Sequence, residues 1–424
     1  MIYDYLIVGA GISGLNTGIE ILKRNPNLRV LIVERNSYRT GGRVFTDKFK
    51  IGKQQYALDA GAGRFSDTHK RLLGLIDRYN LTDKMYKLGK TSKFIKTGKY
   101  SNRVKFPDSE SIIRAIIKHI DNLSSEKREA LKSMTFKELA AKLFNKETAE
   151  FLEKSYPYYS EISITNAYSA VKAFKRDLNS RKNFYILFGG LSQITDMMTS
   201  EFLKLGGKIV KSFEVTSVNR NDNIFTVVSS NETKNNKKRT HNLILTTPKN
   251  VLERIEYLRP LKKQLAALQC KSLYRIYAIY PKNPETGEVW FQKIPRTVTD
   301  SCIKYIIPIN PGDGSIMISY TDANHANYWH KIPDDQLTHE LHREVMRVYP
   351  EITDIPEPLV VKKYFWEPGA CYYRKGTDPD EVRKNMVNPM PNVFVCGDSF
   401  SSHQAWMEGA LETSEMVIKS ILKK

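Results

Sequence analysis

The 424-residue sequence has few cysteines and lacks the patterns that mark several protein classes. Its four cysteines, Cys270, Cys302, Cys371 and Cys396, form no CxxC pair, which argues against a disulfide framework and a structural zinc site. Because no run of about 18 apolar residues occurs, we expect no transmembrane helix. The first predicted strand begins at Tyr3, which leaves no room for a secretory signal. We therefore expect a soluble, intracellular protein of the cytoplasm, in a reducing compartment.

Internal repeats and low-complexity tracts are also lacking, and hydrophobic residues (41%) and charged residues (26%) occur in globular proportions. At roughly 150 residues per domain, the length indicates two or three compact units. Basic residues outnumber acidic ones, 66 to 46, and the net charge is +20. A charge of this size attracts anionic surfaces and nucleic acid non-specifically. The basic residues are dispersed and accompany no nucleic-acid motif, so we do not predict a specific nucleic-acid site.

The hydrophobic pattern predicts an α/β fold whose first and last segments build one domain. Residues 3–34 have the pattern of a βαβ unit, and a short buried strand at 393–396 precedes a final helix. A long helical stretch lies between these ends, and the region from about 260 to 365 has the pattern of a second sheet. We predict a Rossmann-like nucleotide-binding domain formed by residues 1–65, 185–258 and 385–424. We predict a second, α+β substrate-binding domain with a helical insertion, formed by residues 66–184 and 259–384.

A glycine-rich turn links the first predicted strand to the first predicted helix. The segment Gly9-Ala10-Gly11-Ile12-Ser13-Gly14 has the GxGxxG pattern in the strand–turn–helix context of a dinucleotide site. Gly9 permits the tight turn, Gly11 lets a pyrophosphate approach the backbone, and Gly14 lets helix and strand pack closely. The helix N-terminus adds a partial positive charge. Glu34, 20 residues beyond Gly14, is placed to accept hydrogen bonds from the ribose hydroxyls.

NAD and FAD share this fingerprint, and the loops that follow it favour FAD. Thr40-Gly41-Gly42-Arg43 comes after the ribose acid, and Asp59-Ala60-Gly61-Ala62-Gly63-Arg64-Phe65 comes next. With these loops the sequence resembles the flavin amine oxidase superfamily, in which the Gly-Gly-Arg loop lies along the FAD pyrophosphate and the second loop passes the flavin ring. Arginine suits a phosphate because its planar fork is permanently charged. The resemblance implies an amine oxidase-type two-domain fold and FAD as the cofactor.

Arg64 has two interpretations. In the L-amino-acid oxidase branch of this superfamily, the arginine of a similar Gly-x-x-Arg stretch binds the substrate carboxylate, and Arg64 occupies the matching position. The alternative is a structural ion pair with a neighbouring acid.

The resemblance resumes near the end of the chain. Gly397-Asp398-Ser399 and the later Trp406-Met407-Glu408-Gly409-Ala410-Leu411 match the terminal motif of the family, with aspartate in place of the more usual glutamate. Trp406 matches an aromatic residue that faces the flavin in the monoamine oxidase branch, and Tyr372 matches its partner. Two aromatic walls would direct a neutral amine towards the flavin and exclude water. The alternative for each ring is packing in the core.

Cys371 matches the position that carries a covalent thioether to FAD in monoamine oxidases. Neighbouring branches bind FAD without a covalent bond, and a cysteine is often a small buried hydrophobic residue. Both forms therefore stay open, and we favour the non-covalent one.

The lysine that many members place near the flavin N5 has no clear counterpart here. Arg275 aligns at that position, and Lys271 is close enough in sequence to be the true match. Arginine cannot deprotonate as lysine can. If Arg275 is the match, the chain lacks the lysine that the resemblance associates with reactivity towards oxygen.

These patterns together predict an FAD-dependent oxidase. By resemblance it would oxidise a C–N bond of a primary amine, a polyamine or an L-amino acid by hydride transfer to the flavin N5, and release an imine and hydrogen peroxide, with molecular oxygen as the acceptor. The alternatives are an enzyme of the same fold with a non-amine substrate, such as a desaturase, and a basic flavoprotein that binds nucleic acid or an assembly. We predict no metal site, because His325 and His330 are five residues apart with no acid nearby. The predicted catalytic residues are Tyr372, Trp406, Arg275 and Arg64. The predicted cofactor-binding residues are Gly9, Gly11, Ile12, Ser13, Gly14, Glu34, Arg35, Gly42, Arg43, Gly61, Ala62, Gly63, Arg64, Val215, Cys371, Gly397, Asp398, Trp406 and Met407.

Overall fold

The computed structural model describes residues 1–89, 92–178, 182–230 and 236–422, which form two compact units. Unit 1 comprises Met1–Leu88, Lys182–Leu268 and Asp378–Lys424, and unit 2 comprises Gly89–Arg181 and Gln269–Thr377. No helix within the described residues is both long enough and apolar enough to cross a membrane.

The strands are numbered along the chain. They are β1 (Ile2–Val8), β2 (Val30–Val33), β3 (Thr46–Ile51), β4 (Gln54–Asp59), β5 (Phe65–Ser66), β6 (Met85–Lys87), β7 (Ser92–Ile95), β8 (Phe184–Leu187), β9 (Lys208–Val210), β10 (Val215–Asn221), β11 (Ile224–Ser229), β12 (Lys237–Leu245), β13 (Leu268–Ile279), β14 (Arg296–Thr299), β15 (Tyr305–Asn310), β16 (Ser315–Asp322), β17 (Val360–Tyr373) and β18 (Val393–Val395).

The α-helices are numbered in the same way. They are α1 (Ile12–Arg24), α2 (Lys70–Arg78), α3 (Ser109–Asp121), α4 (Ser125–Glu129), α5 (Phe136–Leu143), α6 (Lys146–Ser155), α7 (Tyr159–Ser163), α8 (Ala167–Asp177), α9 (Ser192–Lys204), α10 (Lys249–Leu252), α11 (Lys262–Ala266), α12 (Ala323–Lys331), α13 (Asp334–Val348), α14 (Pro379–Val387) and α15 (Met407–Ile421).

Unit 1 is built on a sheet in the order β10-β11-β12-β1-β2-β9, with β18 also paired to β12. The pairs β12–β1, β1–β2, β2–β9 and β12–β18 are parallel, and the outer pairs β10–β11 and β11–β12 are antiparallel. Strand β1 is central, and Leu6 and Ile7 are fully buried because a parallel strand is covered on both faces. The carboxyl end of β1 therefore lies between neighbouring parallel strands, and nucleotides usually bind at the carboxyl ends of such strands.

Unit 2 combines a six-stranded sheet with a helical bundle. The sheet has the order β17-β13-β16-β15-β14-β7, and α12 and α13 pack on a core that includes Tyr274, Ile318 and Trp329. The bundle of α3, α5, α6 and α8 has a separate core around Ile116 and Phe136. This bundle is the helical stretch that the sequence indicated, and the α/β fold class is confirmed.

The compact units differ from the predicted domain division mainly at residues 66–88. The sequence placed this segment with the substrate-binding residues, whereas the structure places it in unit 1. The physical reason is the contact between α2 and α15. Both carboxylate oxygens of Glu408, on α15, accept hydrogen bonds at the start of α2: Oε1 from the backbone N–H of Arg71 at 3.3 Å and Oε2 from that of Leu72 at 3.1 Å.

Candidate functional site

The glycine turn occupies the carboxyl end of β1. Helix α1 starts with Gly11 as its N-cap, and this residue supplies no side-chain hydrogen bond to the first turn. The free backbone N–H groups at a helix N-terminus bind anions, because they carry partial positive charge. Ile12 and Ser13 are the first two helical residues, and both are buried.

The glycines differ in what a side chain would meet. A Cβ atom on Gly14 would lie 2.1 Å from the backbone oxygen of Gly9, so this position is closed by the fold itself. Gly9 has a φ of +107°, a conformation that favours glycine. A Cβ atom on Gly11 would meet no atom within 4 Å. The open space above Gly11, next to an uncapped helix N-terminus, fits a pyrophosphate.

Glu34 follows β2 and lies beside the glycine turn. Its Oε2 accepts a hydrogen bond from the backbone N–H of Ala10 at 2.9 Å, and its Oε1 accepts one from that of Asn36 at 2.9 Å. A carboxylate has about four acceptor sites, so it retains capacity for ribose hydroxyls. The neighbouring Arg35 is exposed. Val215, at the start of β10, is buried and follows a segment whose Phe213 N–H donates to the Glu34 backbone oxygen at 2.9 Å.

The Gly-Gly-Arg loop joins the two ends of the chain. Gly41 bridges to Gly11, and Gly42 lies close enough that a Cβ on it would be 3.4 Å from the Gly11 Cα. Arg43 forms an ion pair with Asp398. The backbone oxygen of Arg43 also accepts a hydrogen bond from the Ala62 N–H at 2.9 Å. The structure thus brings the first loop, the Gly61-Ala62-Gly63 loop and the C-terminal motif together within unit 1.

The C-terminal motif is held by the last helix. The N–H of Gly397 donates to Oγ1 of Thr413 on α15 at 2.8 Å. Met407, the first residue of α15, is 5% exposed. Asn16 on α1 donates to Oγ of Ser414 at 2.9 Å, so α15 packs directly on the helix that follows the glycine turn.

A cluster of rings and cations surrounds Trp406. Its indole stacks on Phe184, with 6.1 Å between the ring centroids, and the buried His69 ring lies edge-on at 4.9 Å. Arg64 and Lys182 both lie against the same two rings. The sequence pointed to Arg64 and Trp406 but missed His69, Lys182 and Phe184, because no motif marks them. The only sequence signal is a cation two residues before an aromatic residue, a pattern too common to interpret.

Glu412, on α15, forms a polar network next to this cluster. Its carboxylate accepts a hydrogen bond from the Ser402 hydroxyl at 2.7 Å, contacts Nδ1 of His403 at 3.1 Å and pairs with Arg383 at 3.2 Å. Burial alone would raise the pKa of Glu412, but the bonds to His403 and Ser402 outweigh it and lower the pKa to about 2. The network therefore stabilises the ionised carboxylate.

This network predicts a pH-dependent contribution to stability. A carboxyl group whose pKa is lowered in the folded state stabilises the fold fully at pH values above its ordinary pKa. This contribution is lost as the pH falls towards the pKa of the folded state. We expect the free energy of unfolding of wild type to exceed that of Glu412→Gln by an amount that shrinks by about 2 kcal/mol between about pH 5 and about pH 3. Urea unfolding measures it, with the exposed Glu253→Gln as control. Identical pH dependence in the two variants would contradict the prediction.

Arg275 lies in unit 2, on β13, and is paired across the sheet with Tyr320 on β16. It is 5% exposed, and its guanidinium carbon is 4.4 Å from the Tyr320 ring centroid. Burial would lower the pKa of Arg275, but the phenol oxygens of Tyr320 and Tyr277 outweigh it and raise the pKa, so the side chain stays charged. Lys271 lies four residues earlier on the same face of β13, about 13 Å away at the usual strand rise.

Tyr372 and Cys371 lie next to each other on β17 in unit 2. Tyr372 is 9% exposed and packs with Ile164 and Ala370. Burial raises the pKa of its phenol well above the ordinary value, so the hydroxyl stays neutral. Tyr372 belongs to unit 2 and Trp406 to unit 1, so the prediction that they form two walls of one site stays a prediction.

Cys371 forms a disulfide with Cys270. The sequence argued against a disulfide framework and did not predict this bond. The two cysteines are 101 residues apart in the chain, but β13 and β17 are neighbours in the sheet. The bonded sulfur of Cys371 is not available for a thioether, so the covalent alternative is not supported. Among the residues that the structure describes, no group of three or more potential metal ligands occurs.

The disulfide leads to a test of flavin attachment. We expect acid precipitation of the holoprotein to leave the yellow colour in the supernatant, because the Cys371 sulfur is occupied by Cys270. Cys371→Ser should bind as much flavin as the matched variant Cys270→Ser, and absorbance spectra of supernatant and pellet measure it. Colour that stays in the wild-type pellet but not in that of Cys371→Ser would refute the prediction.

The chain is similar to known proteins over almost its whole length. The model of the family described as flavin containing amine oxidoreductase matches residues 12–417. The flavin-dependent L-tryptophan oxidase RebO of Lentzea aerocolonigenes is 21% identical over 481 aligned positions, which cover 98% of this chain and 97% of that protein.

Solved structures show the same fold. Putrescine oxidase bound to putrescine aligns with a TM-score of 0.77 at 16% identity, over 100% of both chains. Cyclohexylamine oxidase from Brevibacterium oxydans IH-35A aligns with a TM-score of 0.77 at 16% identity, over 100% of this chain and 99% of that one. At this identity the likeness establishes the architecture alone.

Proposed function

Because the chain belongs to the flavin containing amine oxidoreductase family, we propose that it oxidises a C–N bond of a primary amine, a polyamine or an L-amino acid. The chain is a flavin-dependent oxidoreductase and its cofactor is FAD. The products would be an imine and, with molecular oxygen as the acceptor, hydrogen peroxide. The observation that supports this proposal most directly is the meeting of the glycine turn, Arg43 and Asp398 in unit 1, which brings both ends of the chain together where the cofactor is proposed to bind.

We assign the parts of FAD to these residues by position. The backbone of Gly11, Ile12 and Ser13 would bind the pyrophosphate, and Glu34 would accept hydrogen bonds from the ribose. Arg43 would neutralise a phosphate, since its guanidinium donates in a fork. The backbone would approach FAD closely at small residues: Gly42, Gly61, Ala62, Gly63 and Gly397. The adenosine would lie beside Arg35 and Val215. The ribityl chain and the flavin ring would lie beside Asp398 and Met407.

The chain contributes orientation and electrostatics to the reaction. FAD, when bound, would supply the hydride acceptor and could pass the electrons on to molecular oxygen. No general base is needed if the amine arrives neutral, so Trp406 and Tyr372 would act by holding the amine and excluding water. The N-terminus of α15, which begins at Met407, would offer partial positive charge to the flavin ring, on which reduction would place negative charge.

Oxygen as the acceptor is the part that depends on Arg275. A buried, permanently charged guanidinium can stabilise negative charge, but it cannot exchange a proton with a water as a lysine can. We therefore propose Arg275 as an electrostatic residue.

Peroxide release by the holoprotein across a panel of primary amines, polyamines and L-amino acids tests the proposal. Loss of the flavin colour on anaerobic mixing, followed by return on aeration, should accompany the release. Anaerobic bleaching without peroxide on aeration would retain amine oxidation and reject oxygen as the acceptor. If no amine or amino acid bleaches the flavin, amine oxidation is refuted and a non-amine substrate of the same fold becomes the better explanation.

A further inference from the structure

Two cations lie against one pair of stacked rings in unit 1. Phe184 and Trp406 are 6.1 Å apart between ring centroids, with an interplanar angle of 21°. The guanidinium carbon of Arg64 lies 4.9 Å from the Phe184 centroid and 6.0 Å from that of Trp406. The ammonium of Lys182 lies 4.9 Å and 5.7 Å from the same two centroids. Both cations thus lie within about 6 Å of both rings.

Lys182 is an unusual residue for this location, since it is only 7% exposed. Burial of an ammonium group costs free energy unless anions, dipoles or ring faces offset it. Asp67 interacts electrostatically with Lys182, but it is also held by Asn183, whose backbone N–H and side-chain amide donate to it at 3.0 Å and 2.8 Å. Burial would raise the pKa of Asp67, and these hydrogen bonds outweigh it and lower the pKa.

The positive charges of Arg64 and Lys182 next to Trp406 would affect carboxylates, diamines and monoamines differently. A carboxylate brought to this ring pair would meet two cations and could accept hydrogen bonds from both. The second ammonium of a diamine or polyamine would meet like charges, which in a partly desolvated site costs affinity. A simple monoamine would gain nothing from either cation.

We propose that Lys182, together with Arg64, binds a carboxylate of the substrate and selects an α-amino acid over an amine or a polyamine. This inference rests on the proposed function, because it requires Trp406 to lie at the place where a substrate is oxidised. The proposal identifies Lys182 as a specificity-determining residue. Among the three proposed substrate classes, it favours an L-amino acid over a primary amine or a polyamine.

Matched substrate pairs that differ only in the carboxylate test the inference on the wild-type holoprotein. Suitable pairs are L-phenylalanine and 2-phenylethylamine, L-tryptophan and tryptamine, L-ornithine and putrescine, and L-lysine and cadaverine. We expect kcat/KM for the carboxylate member of at least one pair to exceed that of its partner about 10- to 100-fold, the range of one or two charge-assisted hydrogen bonds. If amines are oxidised and no amino acid has a higher kcat/KM than its amine partner, the inference is overturned and the proposed function is retained. Turnover of no compound refutes the proposed function.

Variants of Lys182 assign the preference to this residue. Lys182→Met should lower kcat/KM for the amino acids about 10-fold or more, chiefly through KM. It should leave the monoamines 2-phenylethylamine and tryptamine within about twofold, and raise kcat/KM for putrescine and cadaverine, because it removes a like charge. Lys182→Arg keeps the charge and should retain most of the preference. Lys53→Met removes the same charge from the exposed turn between β3 and β4 and is the matched control. Equal loss for both members of each pair would show that Lys182 is structural and would overturn its assigned role.

Binding of a carboxylate that cannot be oxidised gives a readout independent of turnover. Benzoate should perturb the visible spectrum of the bound flavin, with a Kd that rises about 10-fold or more in Lys182→Met and stays within about twofold in Lys53→Met. Unchanged benzoate affinity in Lys182→Met contradicts the inference. If Lys182→Met does not fold, the wild-type substrate pairs and Lys182→Arg still decide it.

Discussion

Gly11→Val is expected to abolish FAD binding while leaving the apoprotein folded. The backbone of Gly11 is extended, with φ of −76° and ψ of 176°, which any residue adopts. A Cβ atom there meets no protein atom within 4 Å, so the folded chain tolerates it. The two methyl groups of valine would fill the space at the N-terminus of α1 where the pyrophosphate is predicted to lie. We expect a stability loss of at most about 1 kcal/mol, the usual size of an N-cap change.

Flavin absorbance of the purified protein and thermal unfolding of the apoprotein measure the two effects separately. Gly14→Val serves as the contrasting variant, because its Cβ would lie 2.1 Å from the Gly9 backbone oxygen and the turn itself must shift. We expect Gly14→Val to lose both flavin and stability. Gly74→Ala, on the exposed face of α2 with no atom within 4 Å, should change neither binding nor fold and should add about 0.5–1 kcal/mol of stability. Normal flavin content in Gly11→Val would refute the assignment of the pyrophosphate.

Glu408→Ala is expected to lower the free energy of unfolding of unit 1 by about 3 kcal/mol, because it removes a buried carboxylate that accepts hydrogen bonds from two backbone N–H groups. Glu408 is 2% exposed. Besides the backbone N–H groups of Arg71 and Leu72, it accepts a hydrogen bond from the Arg71 guanidinium at 3.0 Å. The N-cap of α2, His69, makes no side-chain capping hydrogen bond to the first turn, and Glu408 supplies an acceptor at this helix start.

Glu415→Ala is the matched control, because Glu415 pairs with the same Arg71, at 2.9 Å, but its side chain is 41% exposed. An exposed ion pair contributes about 1 kcal/mol or less. Chemical denaturation of the apoproteins gives both values. We expect Glu408→Ala also to release flavin at lower denaturant concentration, since Glu408 is one residue from Met407. Equal losses for the two variants would show that the carboxylate of Glu408 is not what holds α2 to α15.

Much of unit 1 could be predicted from local sequence. A buried strand, a glycine turn and an amphipathic helix are patterns that short-range sterics and periodicity impose, and Gly9, Gly14 and Glu34 lie where these patterns placed them. The terminal motif at Asp398 and Trp406 could be found by resemblance. The position of residues 66–88 could not be predicted, because their hydrophobic periodicity indicates a helix but not the surface on which that helix packs.

Local sequence was enough to predict a glycine turn between β1 and α1. Gly9 has a φ of +107°, and a Cβ on Gly14 would lie 2.1 Å from the backbone oxygen of Gly9, five residues earlier. Three contacts could not be predicted from the sequence: Arg43 with Asp398, 355 residues later, Cys270 with Cys371, and Lys182 with Trp406. These contacts depend on which strands become neighbours and which helices pack together. That outcome reflects the burial of the whole core and leaves no periodic or spacing signal in the chain.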